Sequence, residues 1–109
     1  MKKAHLNEMV KGWFVGDFTP TAFATDRCEV AVKTYKKGDS DTAHFHKSAH
    51  EITLIIEGKV IMMDLTWRKG DIIVVEPGEV SAFLALTDAT LVVVKIPGTR
   101  NDKFPATLP

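Results

Sequence analysis

Two histidines two residues apart, His44 and His46, are followed five residues further on by Glu51. Successive side chains of a β-strand point to opposite faces, so on a strand the two imidazoles share one face, which is the geometry needed to hold one ion between them. Two imidazoles and a carboxylate form a donor set that binds a divalent transition metal and leaves positions open for water, a substrate or dioxygen. His50 and Glu51 are strand neighbours and must face opposite ways, so only one of them can point at such an ion, and a one-residue slip in register would exchange them. His5 stands in the N-terminal arm without a partner and has no assigned role.

The elements that must position these residues read as strands. Short apolar runs alternate with glycine and charged turns along the whole chain, which is an all-β pattern. Strands are predicted near Trp13 to Phe18, Glu29 to Lys36, Thr42 to His46, Glu51 to Ile56, Lys59 to Met63, Asp71 to Val75, Val80 to Leu86 and Thr90 to Ile96. Turns are predicted at Lys37-Gly38-Asp39, Glu57-Gly58-Lys59, Lys69-Gly70-Asp71 and Pro77-Gly78-Glu79. Eight strands suit a jelly-roll sandwich or barrel. Ile52 to Ile56 and Leu91 to Val94 are apolar on both faces, so one face must line the barrel and the other must be covered, often by a partner subunit. Leu6, Met9 and Val10 have helical spacing and predict a short helix or packing arm over Met1 to Val10. Pro97 to Pro109, with three prolines, reads as an irregular surface tail.

Written as Gly38-x5-His44-x-His46-x4-Glu51-x6-Gly58, the segment resembles the first motif of the cupins, metal-binding double-stranded β-helix barrels, with every defining position present. The second cupin motif, Gly-x5-Pro-x-Gly-x2-His-x3-Asn, is matched in part. Begun at Gly70 it places Gly78 on its second glycine, but Glu76 holds the proline position with Pro77 beside it, Ser81 holds the histidine position and Ala85 the asparagine position. The similarity covers roughly residues 29–96 of a single domain taken as 1–109. The resemblance implies a cupin barrel with a divalent ion, iron, manganese, nickel or zinc, held by His44, His46 and Glu51. Its register favours Glu51 over His50. Because Ser81 stands where the fourth ligand is expected, the implied set is three protein ligands plus solvent.

Other polar residues interrupt the apolar strands. Lys33 lies within Val30 to Tyr35 and Lys95 within Val92 to Ile96, where a charge is costly unless paired or solvated. Either lysine could snorkel outward or face a subunit boundary; pointing inward, its ammonium would attract an anionic ligand such as a carboxylate or sugar phosphate. Tyr35 has the parity of Lys33, and Thr53 that of Glu51. Lys33, Tyr35, Thr53, Ser81 and Lys95 are therefore the candidate ligand-binding residues. Met62 and Met63 read as core filler, and Trp13 and Trp67 as residues buried at the barrel rim or an interface.

Bulk properties narrow the function classes. The 109 residues, 45% hydrophobic, suffice for one core. Lys plus Arg and Asp plus Glu are both 14, so the net charge is zero and the basic footprint of a nucleic-acid binder is missing. Polar residues interrupt the N-terminal segment before it can form a secretory apolar core, and no run approaches the roughly 18 apolar residues needed to cross a bilayer; a cytoplasmic protein without membrane partners is expected. The one cysteine, Cys28, cannot form an internal disulfide, which suits a reducing compartment. The expectation is a small cupin, as a homodimer, that binds a metal and a small anionic or carbohydrate-like molecule. It would act as an oxygenase or a sugar isomerase or epimerase, with Tyr35 as an acid in the latter case. The alternative is a non-catalytic cupin that holds a nucleotide or sugar phosphate.

Overall fold

The computed structural model describes residues 1–106. The last three positions of the expected C-terminal tail, 107–109, lie outside the described residues. Among the described residues, ten strands form two antiparallel five-stranded sheets. The first has the order β1 (Trp13–Val15), β2 (Glu29–Tyr35), β9 (Ala89–Ile96), β4 (His50–Glu57), β7 (Ile72–Val75). The second has the order β10 (Lys103–Pro105), β3 (Ser40–His46), β8 (Ser81–Ala85), β5 (Lys59–Met62), β6 (Leu65–Arg68). Consecutive strands repeatedly cross from one sheet to the other, as β2, β3 and β4 do, and this winds the pair into a double-stranded β-helix.

Period-two burial builds the core between the sheets. Ile55, Leu91, Val93, Ile73 and Val75 face inward from the first sheet and meet Val60, Met62, Phe83 and Ala85 from the second. Trp13, Tyr35, Met63 and Trp67 close over this cluster, and the Trp67 indole N–H donates to the Met62 carbonyl at 2.8 Å, which satisfies its one polar atom. The N-terminal arm contains a single 3₁₀ turn at Leu6–Glu8.

All eight predicted strands are present, with ends that coincide or shift by at most three residues. Two more were not foreseen. Met63 ends the expected fifth strand early because it and Asp64 adopt φ of 52° and 60°, forming a two-residue hairpin turn that sends the chain back as β6. Residues 97–102 are irregular, as expected, but Lys103–Pro105 adds to the edge of the second sheet as β10, directly against the strand that bears the two histidines. Pro105 is tolerated because an edge strand leaves one side of its backbone unpaired.

Candidate metal centre

His44 and His46 stand on the inner face of β3, and Glu51 on the inner face of β4 in the opposite sheet. The short loop 47–49 joins the two strands. One donor atom from each of the three residues lies within 4.8 Å of the other two. His46 Nε2 is 3.0 Å from Glu51 Oε2, and the two imidazole rings meet edge to face at 5.4 Å. Two ligands each about 2.1 Å from a common ion at a right angle are about 3 Å apart, so the spacing of His46 and Glu51 suits a shared ion, with His44 the more distant third donor.

The hydrogen bonds fix which nitrogens are free. His44 Nδ1 is 3.0 Å from the Thr42 carbonyl oxygen. A carbonyl can only accept, so Nδ1 carries a proton, which leaves Nε2 as the nitrogen available to an ion. His46 is 4% exposed, and its Nδ1 has no hydrogen-bond partner among the described residues. An orphaned nitrogen on a buried ring is uncommon. Here it accompanies a second nitrogen aimed at a carboxylate, the disposition of a ligand ring whose far nitrogen faces an outer acceptor. Burial alone would push the Glu51 carboxyl up, but the hydrogen bond from His46 and the fields of His46, His44 and Lys95 outweigh it and hold its pKa below the usual carboxylate range. Glu51 is therefore ionised and able to act as a ligand at neutral pH. The donor set and spacing fit a divalent ion, and the register places Glu51, rather than His50, at the site. His50 instead stands half-exposed with its Nε2 2.7 Å from a Glu76 carboxylate oxygen.

Strand pairing ranks the other candidates. Across the first sheet, Val75, Glu51, Lys95 and Glu29 form one row, so Lys95 stands directly beside Glu51. Lys95 faces inward with Val93 and is bound to Glu29 at 3.5 Å, both side chains being largely buried. Sequence reasoning missed Glu29, whose partnership needs the pairing of β2 with β9. Thr53, 1% exposed, lies one step below Glu51 on the same face. Ser81 is 4% exposed and paired with His44, so the place expected of a fourth ligand lies inside the barrel and holds a hydroxyl.

Lys33 and Tyr35 share the face of Ala31, which is fully buried, and so point inward. Tyr35 packs on Phe83 with ring centroids 4.3 Å apart, and its hydroxyl donates to Asp41 at 3.4 Å. Burial, then Asp41, pushes the Tyr35 phenol well above its usual range, which keeps it a donor and makes it a poor proton source. The expected acid role for Tyr35 finds no support in this environment. The Lys33 Nζ lies 5.6 Å from the centroid of the Trp13 ring, with no carboxylate within 4.0 Å among the described residues. Burial draws its pKa below the usual lysine value. Asp41 and Glu51 oppose that shift, and Lys11 and Lys103 reinforce it.

Two sheets wound into a barrel make a double-stranded β-helix, a fold the chain shares with solved cupin structures. Solved structures with this fold align with the chain. A protein with a double-stranded β-helix domain from Klebsiella pneumoniae is 22% identical with a TM-score of 0.69, covering 75% of this chain and 72% of that one. A cupin-superfamily sugar phosphate isomerase from Silicibacter pomeroyi is 18% identical with a TM-score of 0.67, covering 75% and 58%. Oxalate decarboxylase from Bacillus subtilis is 22% identical with a TM-score of 0.63, covering 73% and 24%. No family model and no curated protein matches the sequence.

Proposed function

We propose that this protein binds one divalent metal ion through His44, His46 and Glu51 and, beside that ion, a small anionic molecule of the carboxylate or sugar-phosphate class. The observation that carries the reading is the convergence of three ligand-type donor atoms within 4.8 Å inside the barrel, on two strands from opposite sheets. When bound, a divalent ion with three protein ligands supplies Lewis acidity and open coordination positions, the requirement for a metal-dependent enzyme.

The anionic preference rests on how the basic groups in and around the barrel mouth are paired. Lys95 is committed to Glu29 and Arg100 to Asp17, whereas Lys33 and Lys103 have no carboxylate within 4.0 Å among the described residues. Lys103 is paired with His46 in the strand register, which puts it on the site's side of β10. A cleft of about 620 Å³, lined by Asp17, Glu29, Lys95, Arg100, Asp102 and Lys103 among others, adjoins the donor cluster through Lys95 and Asp102 without being lined by the three donors themselves, and offers room for such a molecule next to the site. Two of the aligned structures are named for enzymes acting on small anions, a sugar phosphate and oxalate. Ser81 favours a second reading, in which the barrel holds the anion without turning it over, because the position expected of a fourth ligand offers only a hydroxyl. Dialysis against single metals followed by elemental analysis, then native mass spectrometry with small carboxylates and sugar phosphates, tests the proposal. One ion per chain and metal-dependent retention of an anion are expected; failure to retain any of the four metals in stoichiometric amount contradicts it.

For the homodimer expected from the doubly apolar strands, the outer face of the first sheet is the surface we propose. On the outer face of the first sheet, Val74, Ile52, Val94 and Val30 form one apolar row, and Ile72, Leu54, Val92 and Val32 the next. The N-terminal arm lies against Val32 at one end, while Ile72 and Val74 at the other are 61% and 51% exposed. A contiguous apolar face of this kind marks an association surface. The chain is expected to elute as a dimer in size-exclusion chromatography with light scattering, and Ile72→Glu with Val74→Lys to elute as a monomer with little change in its thermal midpoint. A wild-type monomer at high concentration would contradict this assignment. No helix among the described residues is long and apolar enough to cross a membrane. The single cysteine suits a reducing compartment and supports placing the protein in the cytoplasm.

A further inference from the structure

The C-terminal segment contributes a buried carboxylate that no sequence motif marks. Asp102 is 4% exposed and lies between the 97–101 loop and β10. Its Oδ1 accepts from the backbone N–H groups of Lys47 at 3.1 Å and Ser48 at 3.0 Å, and its Oδ2 from Ser48 at 3.2 Å and Ala49 at 3.0 Å. These three amides belong to the loop between His46 and Glu51, so one carboxylate fixes the span that sets the distance between two of the three donor residues. Oδ2 also lies 3.9 Å from the orphaned His46 Nδ1.

We propose that Asp102 is the positioning residue of the metal centre, holding the 47–49 loop in shape and facing the far nitrogen of His46 as its outer-shell acceptor. This rests on the reading of His44, His46 and Glu51 as metal ligands. The segment is fastened for the task. Phe104 stacks on Phe45 at 5.5 Å and lies under the Lys47 ammonium at 4.5 Å, the Ala106 N–H donates to the Ala43 carbonyl, and Lys103 pairs with His46 in the strand register. A carboxylate suits the place where a neutral amide does not: three convergent N–H donors need two acceptor oxygens, and asparagine would set an NH₂ group against one of them. When Nε2 of a ligand histidine binds a metal, its proton resides on Nδ1, and a carboxylate facing Nδ1 orients the ring and raises its basicity.

The test uses zinc alone as probe, in chelator competition, on the wild type, Asp102→Asn and a destabilised control, Val60→Ala, whose truncation lies in the apolar core at the far side of the barrel. Asp102→Asn is expected to weaken zinc binding about 10–100-fold, the usual cost of losing an outer-shell partner. Val60→Ala should bind zinc like the wild type even where its thermal midpoint falls as far. Equal affinity in Asp102→Asn and wild type, or parallel losses in both variants, would overturn the proposal. Should Asp102→Asn not fold, long-range ¹H–¹⁵N spectra of zinc-loaded wild type decide. A His46 proton on Nδ1, with slow exchange of the Lys47, Ser48 and Ala49 amides, supports the role, and a proton on Nε2 refutes it. Absence of zinc binding by the wild type would overturn the metal reading itself, whereas wild-type binding with an indifferent Asp102→Asn would remove only this inference.

Discussion

Replacing His46 with alanine is expected to weaken divalent-metal binding by about 100-fold or more, a larger loss than the roughly 10–100-fold that follows removal of an outer-shell partner. The ring supplies one of three donor groups and is the one that touches Glu51, at 3.0 Å. Its removal also strands a largely buried carboxylate without its donor, so stability should fall along with affinity. Glu51→Gln separates the two effects, because the amide keeps the size of the side chain and can still face His46 but is a poor metal ligand. That variant should stay folded and lose at least tenfold in zinc affinity by calorimetry. Wild-type affinity in either variant would mean that the cluster is an internal hydrogen-bonded pair and no metal centre.

Lys33→Met is expected to raise stability while lowering affinity for the anionic ligand. The lysine is half-buried with no carboxylate within 4.0 Å among the described residues, so its charge costs folding free energy. The sign follows from its pKa, which burial draws below the ordinary lysine value of 10.5 in the folded chain. The unfolded chain therefore holds the proton more tightly, and stability rises as pH climbs from the folded pKa towards 10.5. Below that window the ammonium is charged in both states and its burial cost is fully present, so methionine should be the more stable residue at neutral pH, with the difference shrinking at alkaline pH. Allowing for solvent screening of a half-exposed group, the gain is roughly half a kcal/mol, or about 2–4 °C in thermal midpoint. Loss of one charge-assisted contact should weaken the anion about 10–100-fold. A lower midpoint at neutral pH, or unchanged affinity for the anion that binds the wild type, would show that Lys33 serves the fold and leaves the ligand untouched.

The donor cluster was legible because it is local. His44, His46 and Glu51 lie within eight residues, on two strands whose parity follows from alternation, and their geometry needs only the correct register. Parity with Glu51 likewise gives the inward direction of Thr53, and parity ties Tyr35 to the face of Lys33, but alternation alone leaves the direction of both lysines open; it follows from the buried Ala31 and Val93 beside them. The unread features depend on contacts between distant residues. Asp102 meets its amides across 53 to 55 positions and β10 pairs with β3, so a proline-containing charged segment gave no local sign of burial. Glu29 finds Lys95 only once β2 lies beside β9. β6 was hidden for another reason: its hairpin turn uses Met63 and Asp64 at positive φ, where glycine or asparagine is the usual signal. Ser81 shows the reverse case, a motif position correctly located on the inner face whose residue alters the chemistry without disturbing the strand.

The most direct test of a metal centre in this barrel is anomalous diffraction from crystals of the zinc-loaded chain. One peak is predicted about 2.0–2.2 Å from His44 Nε2, His46 Nε2 and a Glu51 carboxylate oxygen. A barrel interior without a peak, with zinc bound instead at the exposed His50 and Glu76 pair, would contradict the account.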